Sequence, residues 1–178
     1  MDRLWTPWRY TYIAGTSNAD KSSDSRDEQG KTPECVFCRL RNGDRADDQS
    51  NFIIHRAANS FVVLNLYPYA SGHLLIVPHA HVADLDAVTK SVSDELMDLT
   101  KRCQTVLRDV YRSDGFNIGI NQGRAAGAGV AAHLHIHILP RWTGDANFMT
   151  TVSETRVLPE DLSSVYTKLR PHFSEENA

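Results

Sequence analysis

Cysteine is scarce in this chain: three residues, Cys35, Cys38 and Cys103, in a length of 178. That is too few for a disulfide framework. No apolar run approaches the roughly 20 residues that a membrane-spanning helix needs. There is no basic excess either, with 19 Lys and Arg against 22 Asp and Glu and a net charge of -3. A bulk positive field is therefore absent, which argues against nucleic acid and membrane as partners. The opening "MDRLWTPWRY" has charges and tryptophans where a secretory signal would carry an apolar core, so a cytoplasmic location is expected. Residues 15–34 contain no aliphatic side chain larger than alanine. Such a stretch buries too little surface to offset its ordering entropy and is expected to be a mobile loop. The expected organisation is residues 1–34 as an aromatic leader (Trp5, Trp8, Tyr10, Tyr12) and polar loop, then one domain over residues 35–178.

Within that domain, "NFIIHRA", "SFVVLNL" and "GHLLIVP" read as strands, the first two joined by a turn at Ala58 and Asn59. Leu96, Leu99, Cys103, Val106, Leu107 and Val110 recur at helical spacing, with Ser91 or Ser93 as the expected N-cap and Gly115 just past the end. "GFNIGIN" and "HLHIHIL" are two further strands, and a last helix is expected from Pro159 with Leu162, Val165, Tyr166 and Leu169 inward. This order predicts an α+β fold, an antiparallel meander sheet with a long packed helix and a C-terminal helix.

The run "AAHLHIHILPRW" places His133, His135 and His137 at alternate positions. On a strand, alternate side chains share a face about 6.5–7 Å apart, so this is a row of imidazoles backed by Leu134, Ile136 and Ile138. A strand whose polar face merely uses histidine is the plain alternative, and three imidazoles in five residues weigh against it. Two chemical readings compete. A catalytic zinc wants another ligand and a carboxylate base nearby, and neither flank supplies one. A nucleophilic imidazole attacking phosphorus needs an anion cradle instead. "NQGRAAGAGV", immediately upstream, offers small residues whose backbone N–H groups can approach a phosphate. The phosphate reading is favoured.

"CVFC" has zinc-ligand spacing but supplies half a tetrahedral site. Two unrelated thiols, or a redox pair, are the alternatives. His81 in "VPHAHV" and a histidine of the row are candidates to complete a structural site. Cys103, on the inner stripe of the long helix, reads as a packing residue.

The pattern "HLHIHIL", together with "LNLYPYASGHLLIVPHAHV", "GFNIGINQGRAAGAGVAAHLHIHILPRW" and "GDANFM", resembles the histidine triad superfamily of nucleotide hydrolases and transferases over residues 35–150. "RLWTPWRY" resembles the leader of a bacterial branch, the diadenosine tetraphosphate phosphorylases and related dinucleoside polyphosphate enzymes. The resemblance implies that His135 is the nucleophile, that His137 orients the site and contacts phosphate, and that His73 lies near the phosphates. It implies that Asn65 bonds the ribose, that Leu66 meets a purine base, and that Asn121 and the backbone of Gly127, Ala128, Gly129 and Val130 hold the phosphates. It implies a structural zinc on Cys35, Cys38, His81 and His133, a homodimer, and inorganic phosphate or water as acceptor. Many members carry glutamine and serine at Ala128 and Gly129, so those phosphate contacts are expected from backbone, Arg124, Trp142 or Asn147. Rival activities for the same pocket are hydrolysis of nucleoside phosphoramidates or aminoacyl adenylates, and regulatory nucleotide binding with incidental turnover.

Overall fold

The computed structural model describes residues 35–146, Val152 and residues 159–173. The expected leader and polar loop, and Asn147, lie outside these residues. Five strands form one antiparallel sheet: β1 (Ile53–Arg56), β2 (Ser60–Leu64), β3 (Leu74–Pro78), β4 (Gly115–Ile120) and β5 (Ile136–Arg141). Their spatial order is β1-β2-β3-β5-β4. The first three strands make a meander, and the β4–β5 hairpin returns to it so that β5 pairs with β3. Among the described residues three α-helices are fully delimited: α1 (Val36–Asn42), α2 (Lys90–Tyr111) and α3 (Leu162–Leu169).

Strands β2 and β3 are buried at every position, because both faces of the sheet are covered. On one face Val62, Leu64, Leu74, Ile76, Leu134, Ile136 and Ile138 pack against Leu96, Leu99, Cys103 and Leu107 of α2 and against Val165 and Leu169 of α3. On the other face Phe37 of α1 closes over Ile53, Phe61, Val63, Leu75 and Val77. Buried aliphatic side chains of this size each contribute about 1.5–3 kcal/mol, so the alternating pattern in the sequence specifies both layers. Glu95 of α2 accepts hydrogen bonds from Asn59 N–H, at 3.0 Å, and from Ser60 Oγ, clamping the β1–β2 turn to the helix.

Besides shifts of one or two residues at strand ends, four element boundaries differ from the sequence expectation. The last strand starts at Ile136, not His133, because Leu134 N–H donates to Val82 O at 2.6 Å, in the loop after β3, outside the sheet ladder. The long helix begins at Lys90 after Thr89, ahead of Ser91 and Ser93. It ends on Arg112, in the left-handed region at φ 50°, so Gly115 opens β4 instead of capping the helix. The last helix starts at Leu162, where Asp161 accepts from Ser164 N–H, not at Pro159. Helix α1 was not anticipated.

Candidate active site

The alternation of the histidine row survives the shortened strand. Leu134, Ile136 and Ile138 face α2, and the three imidazoles face the layer of α1. Phe37 packs on two of them, with ring centroids 5.4 Å from His133 and 5.1 Å from His135. His135 and His137 follow at 4.9 Å, and His137 and His73 at 5.2 Å. His133, His135 and His73 are buried, and His137 is half-buried.

Hydrogen bonds to groups of fixed character set the tautomers. His135 Nδ1 lies 2.8 Å from the carbonyl of His133, which can only accept, so Nδ1 carries the proton and Nε2 keeps a lone pair. His133 Nε2 donates to Pro78 O at 2.9 Å, leaving its Nδ1 lone pair free. The backbone N–H of Tyr69 donates to His73 Nδ1 at 3.2 Å, which puts the proton of His73 on Nε2. That Nε2 lies 2.9 Å from His137 Nδ1, so His137 accepts there and holds its own proton on Nε2. The row thus offers two free lone pairs, on His133 Nδ1 beside the cysteines and on His135 Nε2, and one N–H donor, on His137.

Burial keeps these rings neutral. It lowers the pKa of His73 to about 3, with His137 and His135 adding to the effect, and that of His137 to about 4, with His135 adding. Burial likewise lowers the pKa of His135, opposed by its bond to the His133 carbonyl, and that of His133, opposed by its bond to Pro78. A neutral imidazole is the form that can attack.

Next to this row, Cys35, Cys38, His81 and His133 bring their ligand atoms within 4.8 Å of one another. Cys35 Sγ lies 3.3 Å from His133 Nδ1, and Cys38 Sγ lies 3.2 Å from His81 Nδ1 and 3.8 Å from His133 Nδ1. Bonds of about 2.0–2.3 Å in a tetrahedral Cys₂His₂ site place the ligands about 3.3–3.8 Å apart, so the residues present fit zinc. The lone pair on His133 Nδ1 is the donor such a site requires. Helix α1 brings Cys38, its N-cap residue is Cys35, and the loop after β3 brings His81.

The other expected residues are distributed as follows. Asn65 is half-buried beside His73, with its Nδ2 3.3 Å from His73 Nδ1 and its Oδ1 accepting from Tyr67 N–H at 2.9 Å. Leu66, next to Asn65 in the chain, is 53% exposed. In the glycine-rich loop, Gly127 N–H donates to Arg124 O at 2.9 Å and Ala128 N–H to Gly123 O at 3.4 Å. Among the described residues the N–H groups of Gly129 and Val130 make no hydrogen bond, and Val130 packs on the Phe37 layer. Asn121 is half-buried at the end of β4. Trp142 is tied to α2, its Nε1 donating to Tyr111 O at 3.1 Å. It shares a cavity of about 510 Å³ with Tyr69.

Two contributors escaped the sequence reading. Phe37 sits inside "CVFC" and braces the row, and its position between two ligand cysteines was the available signal. Tyr69 contributes its backbone N–H and a ring 5.0 Å from that of His73. No side-chain pattern announces a backbone donor.

Comparison with known proteins agrees with this geometry. Residues 46–144 match the HIT domain. The chain is 38% identical over 177 residues to an AP-4-A phosphorylase of Mycobacterium tuberculosis, covering 99% of this chain and 86% of that one. It is 33% identical over 115 residues to the asymmetrical bis(5'-nucleosyl)-tetraphosphatase of Schizosaccharomyces pombe, covering 64% of this chain and 63% of that one. A Zn-bound histidine triad family protein of Mycobacterium smegmatis superposes with a TM-score of 0.62 at 29% identity, over 78% of this chain and 91% of that one. The layered α+β sheet, the imidazole row and these matches agree: the chain belongs to the histidine triad (HIT) family.

Proposed function

We propose that this protein cleaves dinucleoside polyphosphates, of the diadenosine tetraphosphate type, at the α-phosphate through a nucleotidyl-histidine on His135. The observation that carries the reading is the bond from His135 Nδ1–H to the His133 carbonyl, which leaves Nε2 as the nucleophilic lone pair. Likeness along almost the whole chain to a protein named as a phosphorylase of such a compound supports the substrate class.

In this reading His135 Nε2 forms the P–N bond while the P–O bond to the departing polyphosphate breaks. The N–H of His137, held in that tautomer through His73, donates to a phosphoryl oxygen, where stabilisation of developing charge lowers the barrier most. The free N–H groups of Gly129 and Val130 suit an adjacent phosphate, with Gly127, Ala128 and Asn121 shaping the loop around it. Asn65 and Leu66 take the ribose and purine base, and Trp142, which lines a cavity with Tyr69, takes the remoter part of the substrate. An oxygen of water or of inorganic phosphate then attacks phosphorus, the P–N bond breaks, and AMP or ADP leaves.

Zinc on Cys35, Cys38, His81 and His133 is proposed as structural, its chemistry being to cross-link three segments. The exposed outer edge of β4, with Ile118 45% exposed, suits a homodimer. Three cysteines outside any disulfide among the described residues suit the cytoplasm.

The test is incubation with diadenosine tetraphosphate, with and without inorganic phosphate, followed by chromatography. ADP with ATP, only when phosphate is present, marks a phosphorylase, and AMP with ATP in its absence marks a hydrolase. His135→Gly abolishes either while leaving nucleotide binding. Near-normal turnover by that variant removes His135 as nucleophile, and no product from the native protein moves the assignment to small phosphoramidates, aminoacyl adenylates or regulatory binding.

A further inference from the structure

A second cavity, of about 520 Å³, opens at the far edge of the sheet, on β1 and the turn that follows α3. Strands β2 and β3 stand between it and the strand of the histidine row. Its volume lies within the roughly 300–1,000 Å³ of small-molecule sites.

Its walls are basic in a chain of net charge -3. Arg45, Arg56 and Arg170 line it, and Asp48 is the carboxylate of the wall. Asp48 is committed to Arg56, whose Nε and Nη2 approach its oxygens at 2.9 and 2.7 Å. Arg45 and Arg170 pair with no carboxylate among the described residues. Asp44, on the same turn as Arg45, caps Ala46 N–H and does not line the wall. Gln49, Tyr166 and His55 complete the lining with further polar groups, and the His55 ring lies 5.8 Å from that of Phe173. The surplus charge is felt locally. Burial, then Arg102, then Arg170 disfavour the protonated form of His55, whereas Glu95 and the Phe173 backbone favour it.

Two guanidinium groups without counter-charge, converging on a concavity with polar donors, match a phosphate group, whose oxygens accept paired N–H bonds from arginine. The remaining volume, walled by Tyr166 and Phe173, leaves room for an attached organic part. We propose that this cavity is a second binding site, separate from the histidine row, for a phosphate-bearing anion held by Arg45 and Arg170. The site stands whether or not the proposed cleavage reaction is correct. It also has a physical link to the row. Arg56 donates to the carbonyls of Leu40 and Arg41 at 3.0 Å each, in the helix that carries Phe37 and Cys38.

The experiment is a titration of the full chain with inorganic pyrophosphate and, separately, with ADP at constant ionic strength, following the imidazole resonances of His55 and His135 by NMR. Saturable movement of His55, with its own dissociation constant, is expected. The Arg45→Ala/Arg170→Ala double variant should weaken that constant about tenfold or more while the response of His135 persists. Movement with pyrophosphate and ADP alike identifies the phosphate group as the ligand, and movement with ADP alone identifies a nucleotide. No saturable movement of His55 with either overturns the site. So does an unchanged constant in the double variant, or equal saturation by sulfate, which marks unspecific anion screening. Thermal unfolding of the variant checks its fold, and the native titration against sulfate decides the question without it.

Discussion

His73 Nε2 and His137 Nδ1 lie 2.9 Å apart, although 64 residues separate them in the chain. The bond has a direction, because the amide of Tyr69 fills the other side of His73. It makes His73 the group that chooses which nitrogen of His137 carries a proton. His73→Ala is expected to lower kcat on the order of 10²-fold, as loss of an aligned proton donor does, with a smaller change in KM. His73→Gln, whose amide N–H can still donate to His137 Nδ1, should recover part of the loss. Equal kcat in the native protein and His73→Ala removes this role.

The same pair predicts how stability depends on pH. Folding lowers the pKa of His73 to about 3 and that of His137 to about 4, mainly by burial, from an unfolded value near 6.5. Between those limits the unfolded chain binds protons that the folded chain does not. The stabilising contribution is therefore full above pH ~6.5 and declines as pH falls towards the folded values, by up to ~1.4 kcal/mol per pH unit for each group. Urea denaturation at pH 7 and at pH 5 should show a clear loss in the native protein and a shallower one in His73→Gln. An identical decline in both would show that His73 binds its proton equally well in the folded state.

Removing a ligand of the Cys₂His₂ cluster should cost metal and stability together. Cys35→Ser is expected to fall from about one zinc per chain to a small fraction of that, and to unfold at lower temperature, since binding energy at a structural site is folding energy. Elemental analysis of the purified variant is the check, and unchanged zinc content would dismiss the cluster.

Gly72 joins the loop of Tyr69 to His73 at a φ of 78°. A Cβ there would lie 3.0 Å from Leu107 Cδ2 and 3.1 Å from Tyr111 Cε2, both on α2. Gly72→Ala is therefore strained in backbone and in packing, and about 2–4 kcal/mol of stability should be lost. By contrast a Cβ at Gly129 meets nothing within 4 Å, and Gly129→Ala should unfold within ~0.5 kcal/mol of the native protein. Similar unfolding midpoints for the two variants would refute the assignment at Gly72.

The sheet was legible because its apolar residues alternate or run continuously over four to six positions, and the long helix because Leu96, Leu99, Cys103 and Leu107 keep their spacing. The three imidazoles were legible as a row for the same reason, since an extended chain alternates its side chains whether or not it pairs. Where the ladder stops was not legible. It depends on Leu134 N–H finding Val82 O, a contact between residues 52 positions apart. Helix α1 is seven residues long with no side-chain cap, too short to imprint a period. Adjacency of β5 to β3 is likewise a long-range choice that no local pattern records. The zinc-type cluster was legible as "CVFC" with His81 and a histidine of the row as candidates to complete it. What the sequence does not record is the long-range approach that brings His81 and His133 to the cysteines.

One residue, His133, belongs to both halves of this site. Its imidazole stands among the sulfurs of Cys35 and Cys38, and its carbonyl receives the proton of His135 Nδ1. Neither His133 nor His135 lies in a strand, so no ladder hydrogen bond fixes the swing of the nucleophilic ring. That ring is held like a door whose hinge is screwed to the Cys–His cluster rather than to the frame. Its aim is therefore expected to track the state of the cysteines, and oxidant or chelator reaching them would misdirect the chemistry while the sheet behind it stays intact.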